Sequence, residues 1–138
     1  MHDETIRFTA SLPKALFDKM ETELDNKNYQ SRSEYIRDLF RDRLVDNKWE
    51  ETEDDVIGVL TLMFDQYRKG LYEKMMNIQY NHYHLVQILC STHINLDQDH
   101  CLENMTIKGN PEKIRAIVNQ LSALKGVEFA RLTSCCLI

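Results

Sequence analysis

Two patterns in the sequence predict an α+β chain of two modules. One alternating apolar segment is followed by two amphipathic helical stripes within the first 46 residues. After an acidic, aperiodic stretch, apolar runs and helical spacings then succeed one another in the order β-α-β-β-α-β. At 138 residues the chain is long enough for one or two small domains, each able to bury a core.

Residues 5–12 alternate, with Ile6, Phe8, Ala10 and Leu12 on one face and Thr5, Arg7, Thr9 and Ser11 on the other, which predicts a strand with one apolar face. Pro13 suits the start of a helix in which Leu16, Phe17, Met20 and Leu24 recur at helical spacing, so a first helix is expected over about 13–26. Asn28 stands where a left-handed residue would close that helix. Ser31 and Ser33 offer caps for a second helix over about 32–45, with Ile36, Leu39, Phe40 and Leu44 as its buried stripe. One strand with two helices leaves its backbone edges unpaired and its core thin. The remedy is a dimer whose two strands pair antiparallel.

Such a two-stranded ribbon would carry two copies of Arg7, Thr9 and Ser11 on one face, and its size fits the major groove. Arg can bond guanine through two donors, Ser and Thr can bond either base type, and the N-terminus of the second helix can receive a phosphate. Alternation alone favours the plainer reading, the wet face of an amphipathic strand. The net charge of −5 argues against bulk attraction to nucleic acid, so any DNA contact here must come from a few placed groups.

Residues 47–55 are acidic and lack sustained periodicity, which predicts a linker, with Trp49 free to dock on either module. Beyond it, Val56 to Phe64 is an apolar run rich in branched side chains. The fifteen or so residues from Asp65 carry Tyr67, Leu71, Met75 and Ile78 at helical spacing. Strands are expected over 84–94 and 102–107, joined by the polar loop 95–100. Asn110-Pro111 reads as a cap with Pro just inside a helix bearing Ile114, Ile117, Val118 and Leu121. Gly126 closes it, and a last strand runs over 127–132. This order is the ferredoxin-like split unit, here assigned to residues 56–138.

No apolar run is long enough to cross a bilayer, and Met1-His2-Asp3-Glu4 lacks the basic, apolar start of a secretory signal, so a cytoplasmic location is expected. In that compartment Cys90, Cys101, Cys135 and Cys136 are expected as thiols or metal ligands rather than disulfides. No Gly-rich phosphate loop or Ser-His-Asp arrangement is present, and no group is in place to orient a Cys101–His93 dyad, so an enzyme is not expected.

Arg7-x-Thr9-x-Ser11-Leu12, the Asn28-Tyr29 turn and Ser31-Arg32-Ser33-Glu34-Tyr35-Ile36-Arg37-Asp38 together resemble the ribbon-helix-helix module of the nickel-responsive regulator family. Thr92-His93-Ile94, Cys101-Leu102-Glu103 and Lys108-Gly109-Asn110 resemble the ACT-like regulatory domain of the same family, so the resemblance covers nearly the whole chain. It implies a homodimer of N-terminal modules that binds palindromic operator half-sites, a homotetramer through the C-terminal domains, and repression of transcription. It implies base reading by Arg7, Thr9 and Ser11, and phosphate contacts from Ser31, Arg32, Ser33 and Arg37. It implies Ni(II) in a square-planar site of two His and one Cys from one subunit plus one His from its neighbour. Imidazole and thiolate suit Ni(II), and the square plane disfavours Zn(II).

Carried over residue by residue, His93 and Cys101 match the family ligands, whereas the second His falls at Asn95. The neighbour's His maps to His82 counting back from His93 and to Tyr80 counting along the preceding helix. Three readings stay open. The site has decayed; or His82 or His84 replaces the lost ligand and Ni(II) or a related divalent ion is kept; or a different ion is bound, with His100 or Asp99 joining. Glu34 and Asp38, one helical turn apart, match residues that help to hold a second cation in the family.

Overall fold

The computed structural model describes residues 4–135, and the readings made for Met1 to Asp3 and for Cys136 lie outside the described residues. The chain divides into two compact units, Met1–Arg41 and Asp42–Ile138.

In the first unit, α1 spans Lys14–Asn26 and α2 starts at Arg32. Pro13 precedes α1 in extended conformation, and its carbonyl accepts the Leu16 and Phe17 amides. Asn28 takes the left-handed conformation (φ 57°), and the Tyr29 amide reaches back to the Leu24 carbonyl, so Asn closes α1 as expected. Ser31 caps α2, its hydroxyl accepting the Glu34 amide at 3.1 Å.

Residues 5–12 form no strand in the single chain. A strand exists only where its backbone groups find a partner, and the four-stranded sheet takes all its members from residues 56–135. Ile6, Phe8 and Leu12 stay exposed.

A second correction concerns the expected linker. α2 runs unbroken over Arg32–Glu51, so the acidic segment is helical for half its length and the boundary between the units falls inside this helix. Its last turns are fastened within the second unit by Trp49. The indole is 1 % exposed and donates from Nε1 to the Cys135 carbonyl at 3.2 Å, with the Arg115 guanidinium 5.7 Å from the ring. Burial of a side chain this size is worth about 4–6 kcal/mol before entropy. That outweighs the weak helical bias of the acidic residues around it. Gly58 makes room for the indole, since a Cβ there would lie 3.0 Å from it and 2.9 Å from Leu132.

The second unit runs β1 (Val56–Asp65), α3 (Leu71–His82), β2 (Val86–Asn95), β3 (His100–Gly109), α4 (Pro111–Ser122) and β4 (Val127–Cys135). The strands are antiparallel in the order β2-β3-β1-β4, the ferredoxin-like arrangement. Burial alternates strictly along β1 and β3, and Leu60, Leu62, Phe64, Cys101, Met105 and Ile107 share the core with Leu71 and Met75 of α3 and with Ile114, Ile117, Val118 and Leu121 of α4. Asn110 caps α4 as expected, and Gly126 (φ 100°) turns the chain into β4. α3 starts later than the spacing from Asp65 implied. Asp65 Oδ1 accepts the Tyr67 amide to make a turn, Gly70 is left-handed (φ 77°), and Tyr67 is exposed.

Candidate metal centre at the edge of the sheet

β2 is an edge strand, and its register decides what meets Cys101. Asn95 pairs with Cys101 and His93 with Glu103, while Phe64 of β1 flanks Cys101 on the other side. Paired residues of antiparallel strands project to the same face, so Asn95, Cys101 and Phe64 form one row and His93 and Glu103 the next. The face is the one covered by helices further along the sheet, because Cys101 and Glu103 are buried members of the β3 alternation. Asn95 and His93, at the open edge, are exposed. The result is a buried sulfur and, one row away on the same face, an exposed imidazole.

The thiol of Cys101 donates to Asn95 Oδ1 at 3.1 Å and to Gln66 Oε1 at 3.3 Å. Gln66 belongs to the turn after β1 and is anchored twice: its amide bonds the Asp99 carbonyl at 2.9 Å, and its side-chain nitrogen bonds the Gln98 carbonyl. Burial pushes the Cys101 thiol above its ordinary range, and the carboxylates of Glu103 and Asp97 push it further. The ring of His93 stands edge-on to Phe64, with centroids 5.8 Å apart. Glu103 accepts a 2.8 Å hydrogen bond from the Ser91 hydroxyl.

The remaining histidines are placed differently. His82 ends α3, is 8 % exposed, and contacts the Ile78 carbonyl through Nδ1 at 2.8 Å. A carbonyl can only accept, so Nδ1 carries a proton, and Nε2 lies 3.4 Å from the Gln120 side-chain nitrogen. His84 is exposed and lies 3.7 Å, centroid to centroid, over Tyr83; Tyr80 is also exposed. His100 is adjacent to Cys101 in β3 and therefore points to the other face. It is held between Asp97 (Nδ1, 2.9 Å) and Glu128 (Nε2, 3.1 Å), and the Asp97 hydrogen bond raises its pKa and lowers that of Asp97. His100 thus does not join Cys101. Among the described residues, no three His, Cys, Asp or Glu side chains of one chain gather into a metal-holding group. What one chain sets on one face of the sheet is a thiol with two amide oxygens against its sulfur and, one row away, an imidazole, and thiolate and imidazole suit Ni(II).

In the first unit Arg7, Thr9, Ser11, Ser33 and Arg37 are exposed. Arg32 makes a 2.5 Å contact from Nε to Glu21 and lies 5.0 Å over the Phe17 ring, and Glu21 raises its already high pKa. Asp38 accepts the Tyr29 hydroxyl at 2.8 Å and meets Arg41 at 3.5 Å. Glu34 is exposed one turn earlier, and its amide is the one capped by Ser31.

Sequence reasoning missed Gln66 as a neighbour of Cys101 and Glu103 as a partner of Ser91. The two-residue step from Cys101 to Glu103 was the available signal for the second; Gln66 arrives from a turn and left none.

The NikR C-terminal nickel-binding domain family matches residues 57–135. A protein of Campylobacter concisus named as a nickel-responsive regulator is 38% identical over 131 residues, covering 95% of this chain and 94% of its own length. One of Helicobacter hepaticus with the same name is 38% identical over 137 residues, 96% of each chain. Among solved structures, an uncharacterized protein of Thermotoga maritima aligns with 59% of this chain and 98% of its own at a TM-score of 0.51 and 16% identity, a likeness of fold alone.

Proposed function

The chain belongs to the nickel-responsive regulator family, and from that premise we propose that it is a Ni(II)-responsive, sequence-specific DNA-binding repressor of transcription. The observation that carries the reading is that His93 of the edge strand β2 and the buried Cys101 of its neighbour β3 share one face of the sheet, with Asn95 directly across from the sulfur.

His93 and Cys101 would hold Ni(II), with Asn95 at the position of the third family ligand. Bound there, Ni(II) supplies a strong cationic link between donors of different chains. The fourth donor comes from a second chain, and His82 suits it better than His84 or Tyr80. Its Nδ1–H is already directed at a backbone carbonyl, the support that metal-ligating histidines use, and Nε2 would exchange the Gln120 side chain for the metal. The thiol of Cys101 must lose its proton on binding, which burial and then the carboxylates of Glu103 and Asp97 oppose until the cation arrives.

The N-terminal units of two chains pair through residues 5–12 and bury Ile6, Phe8 and Leu12, which are exposed in one chain. That pairing sets Arg7, Thr9 and Ser11 on one ribbon against the bases, while Ser33, Arg37 and the capped start of α2 with Ser31 and Arg32 meet phosphates. Two such dimers, joined as a homotetramer by their C-terminal sheets, bind palindromic half-sites in the cytoplasm. Ni(II) acts by favouring the arrangement competent for DNA over the others. The chain does no catalysis in this reading.

Equilibrium dialysis against Ni(II) tests it. About one Ni(II) per chain is expected, with a thiolate-to-nickel absorption band that disappears in Cys101→Ala and binding that falls in His93→Ala. Binding indifferent to both substitutions would place the sensor elsewhere.

A further inference from the structure

The sulfur of Cys101 is not surrounded as a thiolate in a nitrogen-rich square plane would be. Two amide oxygens, Asn95 Oδ1 at 3.1 Å and Gln66 Oε1 at 3.3 Å, converge on the one proton that the thiol carries. Both arrive on fixed backbone. Asn95 is paired with Cys101 across the β2–β3 ladder, and Gln66 is pinned at its amide by Asp99 and at its side-chain nitrogen by Gln98. The side-chain nitrogen of Gln66 is engaged with a carbonyl, so its oxygen is the atom left to face the sulfur.

Two oxygens already placed against the sulfur stand where a cation held by that sulfur would meet further donors.

We propose that Asn95 and Gln66 supply amide oxygens to the metal held by Cys101 and His93, so that Ni(II) in this protein sits in a mixed sulfur, nitrogen and oxygen environment of higher coordination number. The inference rests on the nickel-site reading given above and deepens it. Amide oxygen is a hard, weak-field donor, and replacing imidazole by it removes the strong in-plane field that keeps Ni(II) four-coordinate and diamagnetic. Ni(II) in this site is therefore paramagnetic. The site also discriminates less against ions that accept oxygen donors, such as Co(II) and Zn(II), than a nitrogen-rich plane would.

The test is the magnetic susceptibility of the full-length protein loaded with one equivalent of Ni(II), read by the solvent proton shift, together with the absorption spectrum. The wild type is expected to be paramagnetic, with the paramagnetism lost from the protein fraction in Cys101→Ala. Asn95→His, at an exposed position that tolerates the larger ring, is expected to convert the complex to a diamagnetic one. Gln66→Leu, which keeps the bulk of the side chain but removes its oxygen, is expected to weaken Ni(II) binding by about 10–100-fold.

A diamagnetic wild-type complex would overturn the inference and leave the nickel site standing. Undiminished affinity in Gln66→Leu would remove Gln66 from the donor set. Failure of the wild type to retain stoichiometric Ni(II) after dialysis would overturn the nickel-site reading itself, and the inference with it.

Discussion

Residues 42–135 and residues 4–41 treat their apolar side chains in opposite ways. The first group buries a continuous core, with both helices on one face of the sheet, alternate residues of β1 and β3 sealed beneath them and Trp49 enclosed, while Leu85, Leu89, Ile94 and Leu96 along or beside the edge strand and Phe129 of β4 stay exposed. In the second group only Leu24 and Tyr35 are buried, while Ile6, Phe8, Leu12, Leu16, Leu39 and Phe40 remain open to water. A unit with a continuous core is expected to fold as a single chain, with its exposed apolar residues still open to other copies. A unit with so few buried residues is expected to gain more stability from a second copy.

The largest effect that sharpens this contrast falls on Trp49. Trp49→Ala should lower the unfolding free energy of the full chain by about 3–5 kcal/mol in urea melts, because the indole fills a sealed site in the second unit. A surface linker residue would change it by less than about 0.5 kcal/mol. Next comes the open face of the first unit. Phe8→Asp removes about 2 kcal/mol of apolar burial per chain on pairing. With two copies per dimer, sedimentation equilibrium should show the dimer of N-terminal units weakened about a thousandfold. The far-UV signature of the sheet unit should be unchanged. An unaltered association constant would mean that residues 5–12 are not the pairing element.

Smaller again is the helix stop at Asn28, where φ is 57°. Asn28→Gly should stabilise the chain by a few tenths of a kcal/mol up to about 1, since Gly meets no Cβ penalty in that conformation. Thermal melts at fixed protein concentration would show it, and destabilisation would contradict the capping account. The smallest effect is one of pH. The folded Cys101 thiol is raised above its ordinary range, so the neutral form is favoured by folding. Its contribution to stability is present below the ordinary thiol range and is lost as pH rises through the raised value. The metal-free protein should weaken at alkaline pH, and Cys101→Ser should lose that dependence.

Period and punctuation made the second unit readable. Strict alternation in β1 and β3, the Asn110-Pro111 cap and Gly126 each act over a few residues, and all of them act as the sequence implied. Where reading failed, the deciding interaction was distant. The helical stretch through Glu51 is held by an indole that reaches β4, 86 residues away, and acidic composition concealed it. The alternating segment 5–12 finds no strand partner among the described residues.

The candidate metal centre divides the same way. His93, Asn95 and Cys101 were visible as a spaced set, because a tight hairpin turns spacing into register. Gln66 comes from another turn, and only the folded sheet delivers it to the sulfur. The opposite orientation of His100 was implied by its place next to Cys101, and the carboxylates that hold it there, Asp97 and Glu128, come from a loop and from β4.

The most direct measurement is the affinity of the full-length protein for its operator at one fixed salt concentration, by mobility shift, as Ni(II) is titrated to one equivalent. The account predicts affinity at least about tenfold higher with Ni(II), a coupling near the low end of the 1–3 kcal/mol typical of linked sites, and no gain in Cys101→Ala. Equal affinity with and without Ni(II) in the wild type would contradict it.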